Sequence, residues 1–197
     1  MGNIYPGIPH QLAQLLKDQH GLEDFVETGT YLGGTAVWAA QKFQRVFTIE
    51  ASKELHAQAV QQYGSLQNIH FCNGDTRDFL RQLMPHLSKP SLLWLDAHWS
   101  GGITHGSNDE CPLLEEIHIL NSSPHIHFLL IDDVRMFLAP PPPPHKPEHW
   151  PSIDQVIRAI QARDKDIDVC IFEDILIAVP SYAKGTVTQY VRQKHLE

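Results

Sequence analysis

The chain has 197 residues, with 23 acidic side chains against 15 Lys and Arg, and its formal net charge is −8. This length suits one domain with a substantial buried core, so we expect a single domain over residues 1–197. The acidic balance argues against a nucleic-acid partner, and no apolar run reaches the roughly 18 residues of a membrane span.

Short apolar runs alternate with segments of helical spacing along the chain. The predicted strands are 24–29, 45–51, 69–75, 91–97, 127–133, 168–174 and 175–180. The predicted helices are 9–19, 33–43, 52–63, 76–86, 112–121 and 152–163, with Ser52 and Thr76 as N-caps. Residues 1–22 form an N-terminal helical extension. Residues 134–150 contain five consecutive prolines and are predicted to be a stiff surface loop, or alternatively a docking site for a proline-binding module.

The order of these elements predicts a doubly wound α/β sheet. Single helices separate the first five strands, which requires parallel crossover connections. The last two strands are joined by the short reversal "FEDIL", so the final strand pairs antiparallel. A mostly parallel, seven-stranded, Rossmann-like sheet that ends in an antiparallel hairpin resembles the sheet of class I methyltransferases.

Acidic residues stand at or beside the ends of the first five predicted strands. They are Glu27, Glu50, Asp75, Asp96 and the pair Asp132 and Asp133. Ligands of open α/β sheets bind outside the carboxyl ends of the strands. Carboxylates gathered there repel one another unless a cation or a hydrogen-bonding ligand lies between them. The pattern favours a binding site at this edge, although loop-forming acidic residues are the structural alternative.

The turn "ETGTYLGGT" (27–35) is close to a dinucleotide fingerprint but lacks the middle glycine of GxGxxG. It resembles the E/DxGxxxG turn of S-adenosylmethionine-dependent methyltransferases. The resemblance implies that Gly29 passes under the methionine part of the cofactor and that Glu50 accepts the ribose hydroxyls. It also implies cofactor contacts for Glu27, Thr30, Gly33, Asp75 and Asp96, with Asp75 near the adenine edge. A ligand-free βα turn is the alternative.

A second group of residues lies in "LWLDAHWSGG" and "LLIDD". Asp96 ends the fourth strand and Asp132 and Asp133 end the fifth, and neighbouring strands lie about 5 Å apart. A hard divalent cation such as Mg²⁺ would relieve the repulsion between these three carboxylates. The segments resemble metal-dependent O-methyltransferases of the macrocin type, which implies that Asp96, Asp132 and Asp133 are metal ligands.

The implied chemistry is methyl transfer to a hydroxyl of a sugar or other small metabolite. The sulfonium methyl is already electrophilic, so the protein must align and deprotonate the acceptor. A metal lowers the pKa of the hydroxyl and a base takes its proton. His98, with Asp96, is the candidate catalytic group, and the alternative is a histidine that lies on the surface or only supports a metal ligand. Arg135 is interpreted as balancing the charge of the acidic pair, with orientation of a substrate carboxylate as the alternative.

The segment 100–112, with His105 and Glu110, is predicted to be a lid, a substrate rim or a plain connection, and Glu110 is a further candidate ligand. Macrolide-sugar enzymes of the macrocin type carry long N-terminal additions for substrate binding, whereas the first predicted strand of this chain begins at residue 24. Acceptor recognition is therefore expected from residues 1–10, 98–111 and 134–150 or from a partner subunit. A homo-oligomer is left open.

Other functions remain as alternatives. They are a metal-independent N- or O-methyltransferase, a non-catalytic nucleoside-binding module and, ranked lower, a NAD-dependent oxidoreductase. The cysteines, at positions 72, 111 and 170, suit neither a disulfide framework nor a zinc site, so a reducing, cytoplasmic location is expected.

Overall fold

The computed structural model describes residues 7–99, 109–164 and 166–196. One seven-stranded sheet runs through them in the order β3-β2-β1-β4-β5-β7-β6. The strands are β1 (Asp24–Thr28), β2 (Arg45–Glu50), β3 (Ile69–Asn73), β4 (Leu92–Leu95), β5 (Phe128–Ile131), β6 (Ile167–Phe172) and β7 (Ile175–Pro180). The first five strands pair in parallel, and β7 pairs antiparallel with both β5 and β6. The predicted fold class is confirmed.

Helices cover both faces of the sheet. They are α1 (His10–His20), α2 (Gly34–Ala40), α3 (Lys53–Tyr63), α4 (Thr76–Leu83), α5 (Leu113–Leu120), α6 (Arg135–Leu138), α7 (Ile153–Gln161) and α8 (Lys184–Lys194). Side chains of α1, α2 and α8 pack on one face, and those of α4, α5 and α7 pack on the other. Among the described residues, none of the helices has both the length and the apolar character needed to cross a bilayer.

The central strands β1, β4 and β5 are buried along their whole length. Strands of parallel sheets are covered on both faces and therefore read as continuous apolar runs, such as "LLWL" and "FLLI". This burial leaves the carboxyl ends of the strands as the place where polar side chains can converge.

The structure differs from the predicted elements at three places. Helix α8 was not predicted, because its β-branched residues have low helix propensity, and its burial of Thr186, Val187 and Tyr190 is a tertiary effect. Residues 134–150 are not only loop, since they contain α6 and a short 3₁₀ turn at Pro147–His149. The N-cap of α4 is Asp75, whose side chain accepts from the Arg77 amide, and not Thr76. Ser52 caps α3 as predicted.

His127, at the start of β5, makes the stability of the fold depend on pH. Its Nδ1 accepts from the Ser91 amide at 3.1 Å, which leaves Nε2 to donate to the Ser123 hydroxyl at 2.8 Å. Protonation of Nδ1 would place its N–H against the N–H of Ser91, and the hydrogen bond between them would be lost. Burial, followed by the charges of His125 and Arg163, lowers the pKa of His127 from 6.5 to about 4.

Because the folded pKa lies below the unfolded one, the stabilisation is complete above pH 6.5 and is lost as the pH falls toward about 4. We expect His127 to contribute up to about 3 kcal/mol to this loss. Urea unfolding at pH 7.5 and pH 5 gives the free energy of unfolding of the wild type and of His127→Gln. The variant should be less stable than the wild type at pH 7.5, but its stability should change less between the two pH values. Equal pH dependence in the two proteins would contradict this assignment.

Candidate active site

The turn between β1 and α2 has an unusual backbone. Gly29 has φ +92°, Tyr31 has φ +48° and Gly33 has φ +82°. A Cβ placed on Gly29 would lie 2.3 Å from the carbonyl oxygen of Asp96. Gly29 is therefore required both by its own dihedral angle and by the close approach of the β4 end. The contact also fixes the turn against Asp96.

The turn uses most of its amides inside the protein. Gly29 and Thr30 both donate to the Ile49 carbonyl at 3.0 Å, Gly33 donates to the Thr30 carbonyl at 2.8 Å, and Tyr31 donates to Glu50 at 2.9 Å. A dinucleotide fingerprint presents free amides to a pyrophosphate. With these four amides occupied, the turn offers a diphosphate little, but it can still lie against an uncharged part of a ligand.

Glu50, at the end of β2, lies beside this turn as the sequence predicts. Its Oε2 accepts from the Tyr31 amide at 2.9 Å and its Oε1 from the Ser52 amide at 2.8 Å. The side chain is thus held in one orientation, and the residue is 7% exposed. A carboxylate has about four acceptor sites, so two hydroxyl donors can still be bound.

Glu27 lies below the turn and is buried. Thr48 donates to its Oε2 at 2.6 Å, and the Thr30 hydroxyl lies 2.6 Å from that of Thr48. Burial raises the pKa of Glu27 to about 8, against the lowering effect of the Thr48 hydrogen bond. The chain of hydrogen bonds from Thr30 through Thr48 to Glu27 holds the turn on the sheet.

Asp75 follows β3 at the same edge of the sheet. It caps α4 and forms a two-pronged ion pair with Arg77, whose Nη2 lies 2.6 Å from its Oδ2. The side-chain hydrogen bond from Arg77 is the main reason that the pKa of Asp75 is lowered. Its role at an adenine edge stays a prediction.

Asp96 and Asp132 directly follow paired residues of β4 and β5, since Leu95 pairs with Ile131. The Asp132 amide donates to the Leu95 carbonyl at 3.2 Å, so the two strand ends remain in register. Burial is the largest effect on both: the pKa of Asp96 is raised to about 6, and that of Asp132, which also feels the charges of Asp96 and Asp133, to about 7. The predicted convergence is found for Asp132 and Asp133, whereas Asp96 is not in the described group of carboxylates whose ligand oxygens lie within 4.8 Å of one another.

His98 lies among these carboxylates. Its Nε2 is 2.5 Å from Asp133 Oδ2 and 3.7 Å from Asp96 Oδ1. Burial alone would lower the pKa of His98, but the Asp133 hydrogen bond and the charges of Asp96, Asp133 and Asp132 outweigh it, so the pKa is raised. Despite burial, the His98 and Arg135 contacts lower the pKa of Asp133 to about 2. His98 is therefore positioned by the acidic pair.

Comparison with known proteins places this geometry in a fold family. No protein-family model and no curated protein sequence matches the chain. Among solved structures, an O-methyltransferase from Bacillus cereus in complex with SAH is similar, with 19% identity, TM-score 0.59, and coverage of 89% of this chain and 82% of that chain. The O-methyltransferase TomG from Streptomyces achromogenes, involved in tomaymycin synthesis and complexed with SAM, has 16% identity, TM-score 0.56, and coverage of 87% and 78%. The N-methyltransferase NodS from Bradyrhizobium japonicum has 14% identity, TM-score 0.52, and coverage of 86% and 91%.

The chain has the class I methyltransferase fold. At these identities the likeness extends to the fold and not to the acceptor, and it includes both O- and N-methyltransferases. The resemblance to macrocin-type enzymes stays a prediction.

Asp174, in the reversal between β6 and β7, is a member of the acidic group that sequence analysis missed. Ligand oxygens of Asp132, Asp133 and Asp174 lie within 4.8 Å of one another. Asp174 accepts from the Arg135 amide at 2.9 Å, and the Arg135 guanidinium contacts both Asp133 and Asp174. Strand β7 lies beside β5, so an acidic residue in the reversal that precedes β7 reaches the same edge of the sheet. The predicted hairpin in "FEDIL" therefore contained the information needed to add Asp174 to the acidic group.

The guanidinium of Arg135 contacts the carboxylates of both Asp133 and Asp174, which agrees with its interpretation as a charge-balancing residue. Both oxygens of Asp174 are engaged by Arg135. Asp133 is shared between Arg135 and His98. Asp132 Oδ1 accepts from the Asp133 amide at 2.8 Å, which leaves Asp132 Oδ2 for a ligand. Carboxylate oxygens are donors that fit a hard divalent cation.

Trp99 and Glu110 are joined by a backbone hydrogen bond, in which the Trp99 amide donates to the Glu110 carbonyl at 2.7 Å. The Glu110 carboxylate accepts from the Trp150 indole at 2.8 Å and from the Lys146 amide, so it anchors the proline-rich segment. Residues 100–108, including His105 and most of the predicted lid or rim, lie outside the described residues, as do residues 1–6 of the predicted acceptor segments.

Proposed function

We propose that the protein is an S-adenosylmethionine-dependent O-methyltransferase, assisted by a divalent cation, that acts on a hydroxyl of a sugar or related small metabolite. One observation carries the proposal: Gly29 lies against the backbone of Asp96. This contact brings the turn that suits a nucleoside amino acid next to the carboxylates that suit a cation. A methyl donor and an activated hydroxyl would therefore meet at one point.

The cofactor assignment rests on what the turn can bind. Its occupied amides argue against a dinucleotide, whereas Glu50 retains acceptor capacity for two ribose hydroxyls. We assign Gly29, Thr30 and Gly33 to the wall beneath the methionine part, with Glu27 supporting the wall and Asp75 near the adenine. SAM and SAH are bound by TomG and the Bacillus cereus enzyme, which have this fold.

Asp96, Asp132 and Asp133 would hold the cation. When bound, it supplies a Lewis acid that lowers the pKa of the acceptor hydroxyl. His98 accepts the hydroxyl proton, and its Nε2 contact with Asp133 Oδ2 fixes the imidazole for that transfer. Asp96 lies between the cofactor turn and His98 and orients the reacting groups.

Two substitutions should separate the two ligands. Glu50→Gln removes the charge that receives the ribose hydroxyls, so we expect SAH affinity to fall at least about tenfold while Mg²⁺ affinity is unchanged. Asp132→Asn removes a cation ligand and should do the reverse. Titration calorimetry with SAH and with Mg²⁺ measures both affinities, and thermal shift with SAH, with and without Mg²⁺, gives an independent reading.

Glu148→Gln is the matched control, because it removes a carboxylate from the exposed part of the proline-rich segment. It should change neither affinity. A Glu50→Gln protein that binds SAH like the wild type, or an Asp132→Asn protein that loses SAH but keeps Mg²⁺, would show that the roles are wrongly assigned. The methyl acceptor is then sought by assaying methyl transfer to a panel of compounds with sugar or phenolic hydroxyls.

A metal-independent methyltransferase is favoured by one observation: His98 and Arg135 already supply positive partners to Asp133. It predicts that activity survives a chelator. A non-catalytic nucleoside-binding module predicts SAH binding with no turnover on any acceptor.

A further inference from the structure

Helix α5 carries two consecutive glutamates with opposite environments. Glu115 points outward, with a side chain that is 61% exposed, and it pairs with Arg77 at 3.2 Å. Glu116 is 1% exposed and lies on the face of α5 that packs against the sheet. Sequence analysis did not single out Glu116, because it stands in a run of charged and apolar residues whose register only the packed helix defines.

The Glu116 carboxylate lies near the Thr76 hydroxyl, which favours its charged form and so lowers its pKa. Its Oε1 is buried and has no hydrogen-bond partner within the described ranges. Glu116 instead lines a small cavity of about 10 Å³, together with His98 and Cys111 and with apolar side chains of β4, β5 and α6. The unpartnered carboxylate and the candidate base thus share one cavity.

A carboxylate at this position is costly for folding. Burying a polar oxygen without a partner costs about 1–3 kcal/mol or more when the group is charged, and an apolar side chain would avoid that cost. Burial raises the pKa of Glu116 to about 7, although the Thr76 hydrogen bond and the charge of His98 lower it. The cavity has about the volume of one water molecule, which could bridge the polar groups that line it. A buried polar group that is kept at such a cost indicates a role beyond packing.

We propose that Glu116 is a positioning residue for His98, holding the imidazole from across this cavity on the α5 side while Asp133 holds its Nε2. The inference rests on the proposed function, because that function makes His98 the base. The unpartnered Oε1 of Glu116 and the His98 imidazole line the same small cavity, so a water molecule held there could link the two side chains.

The first test needs no acceptor. Glu116→Gln keeps the shape of the side chain but replaces the carboxyl group by an uncharged amide. Two-dimensional ¹⁵N NMR of the histidine rings at fixed pH, with the His98 signals assigned through His98→Gln, should show altered His98 ring shifts in Glu116→Gln. Glu115→Gln removes the same charge one residue away on the exposed side of α5 and should leave those shifts as in the wild type. Unaltered His98 shifts in Glu116→Gln would overturn the proposal.

The second test uses an acceptor found by the panel. Glu116→Gln should lower kcat about tenfold, the smaller effect expected of an outer-sphere partner, with KM and SAH affinity unchanged. Glu116→Asp, which keeps the charge but withdraws it by one methylene, should restore part of kcat and also serves if Glu116→Gln does not fold. A rise in KM or a loss of SAH binding without a fall in kcat would overturn the proposal. Failure of SAH to bind the wild type refutes the proposed function instead, and the NMR result still decides whether Glu116 acts on His98.

Discussion

Replacing Gly29 by alanine is expected to cost the protein at least about 2 kcal/mol of folding free energy, from the left-handed dihedral angle and the clash together. Gly29 has φ +92°, and the new Cβ would lie 2.3 Å from the Asp96 carbonyl oxygen. That oxygen belongs to the backbone and cannot rotate away. Either the turn or the end of β4 must move, so SAH affinity should fall as well. Urea unfolding and SAH calorimetry measure the two effects.

Gly34→Ala is the control for stability. Gly34 begins α2, and among the described residues no atom outside its chain neighbours and its own helix backbone lies within 4 Å of a Cβ built on it. Its substitution should change the free energy of unfolding by no more than about 0.5 kcal/mol. If Gly29→Ala were as stable as Gly34→Ala, the contact between the turn and Asp96 would not have the tightness that the proposed function needs.

The sequence predicts the sheet well because the signals are local. Apolar runs mark the central strands, and the rule that ligands gather at strand carboxyl ends identifies Glu50, Asp96 and Asp132 before any packing is known. The proximity of Glu50 to the Gly29 turn is confirmed by its hydrogen bond from the Tyr31 amide. These predictions need only strand order and register.

The features that the sequence does not predict depend on contacts between distant segments. Asp174 is 41 residues from Asp133 and meets it only because β7 lies beside β5. Glu116 is distinguished from Glu115 only by the rotation of α5 against the sheet. Helix α8 forms because its face packs against the sheet and α1. None of these leaves a mark in local composition or spacing.

The site combines two kinds of rigidity. On the cofactor side, Glu50 is held by two backbone amides and Glu27 by a chain of hydroxyls. On the acidic side, Asp133 is held by His98 and Arg135. The backbone contact between Gly29 and Asp96 joins the two. Preorganised groups of this kind stabilise a transition state without reorganisation during the reaction.

His98→Gln is expected to have the largest effect on turnover, lowering kcat about 10²- to 10⁴-fold, the usual contribution of a general base. SAH affinity should stay near the wild-type value, because Glu50 is held by the Tyr31 and Ser52 amides. The Gly29 and Thr30 amides are likewise held by the Ile49 carbonyl. Single-turnover rates with an acceptor from the panel and SAH calorimetry measure the two quantities. His145→Gln is the matched control, since that imidazole also packs against Trp150 but pairs with Glu110.

The pH dependence separates a base from a merely packed histidine. Asp96, Asp132, Asp133 and, across the cavity, Glu116 surround His98, and the acidic groups raise its pKa against the effect of burial. A base must be deprotonated to act, so kcat should rise as the pH passes through the pKa of His98 and then level off. This rise should disappear in His98→Gln and persist in His145→Gln. If the two variants have the same kcat and the same pH profile, His98 is not the base, and Asp96, the other candidate catalytic group, is the next residue to test.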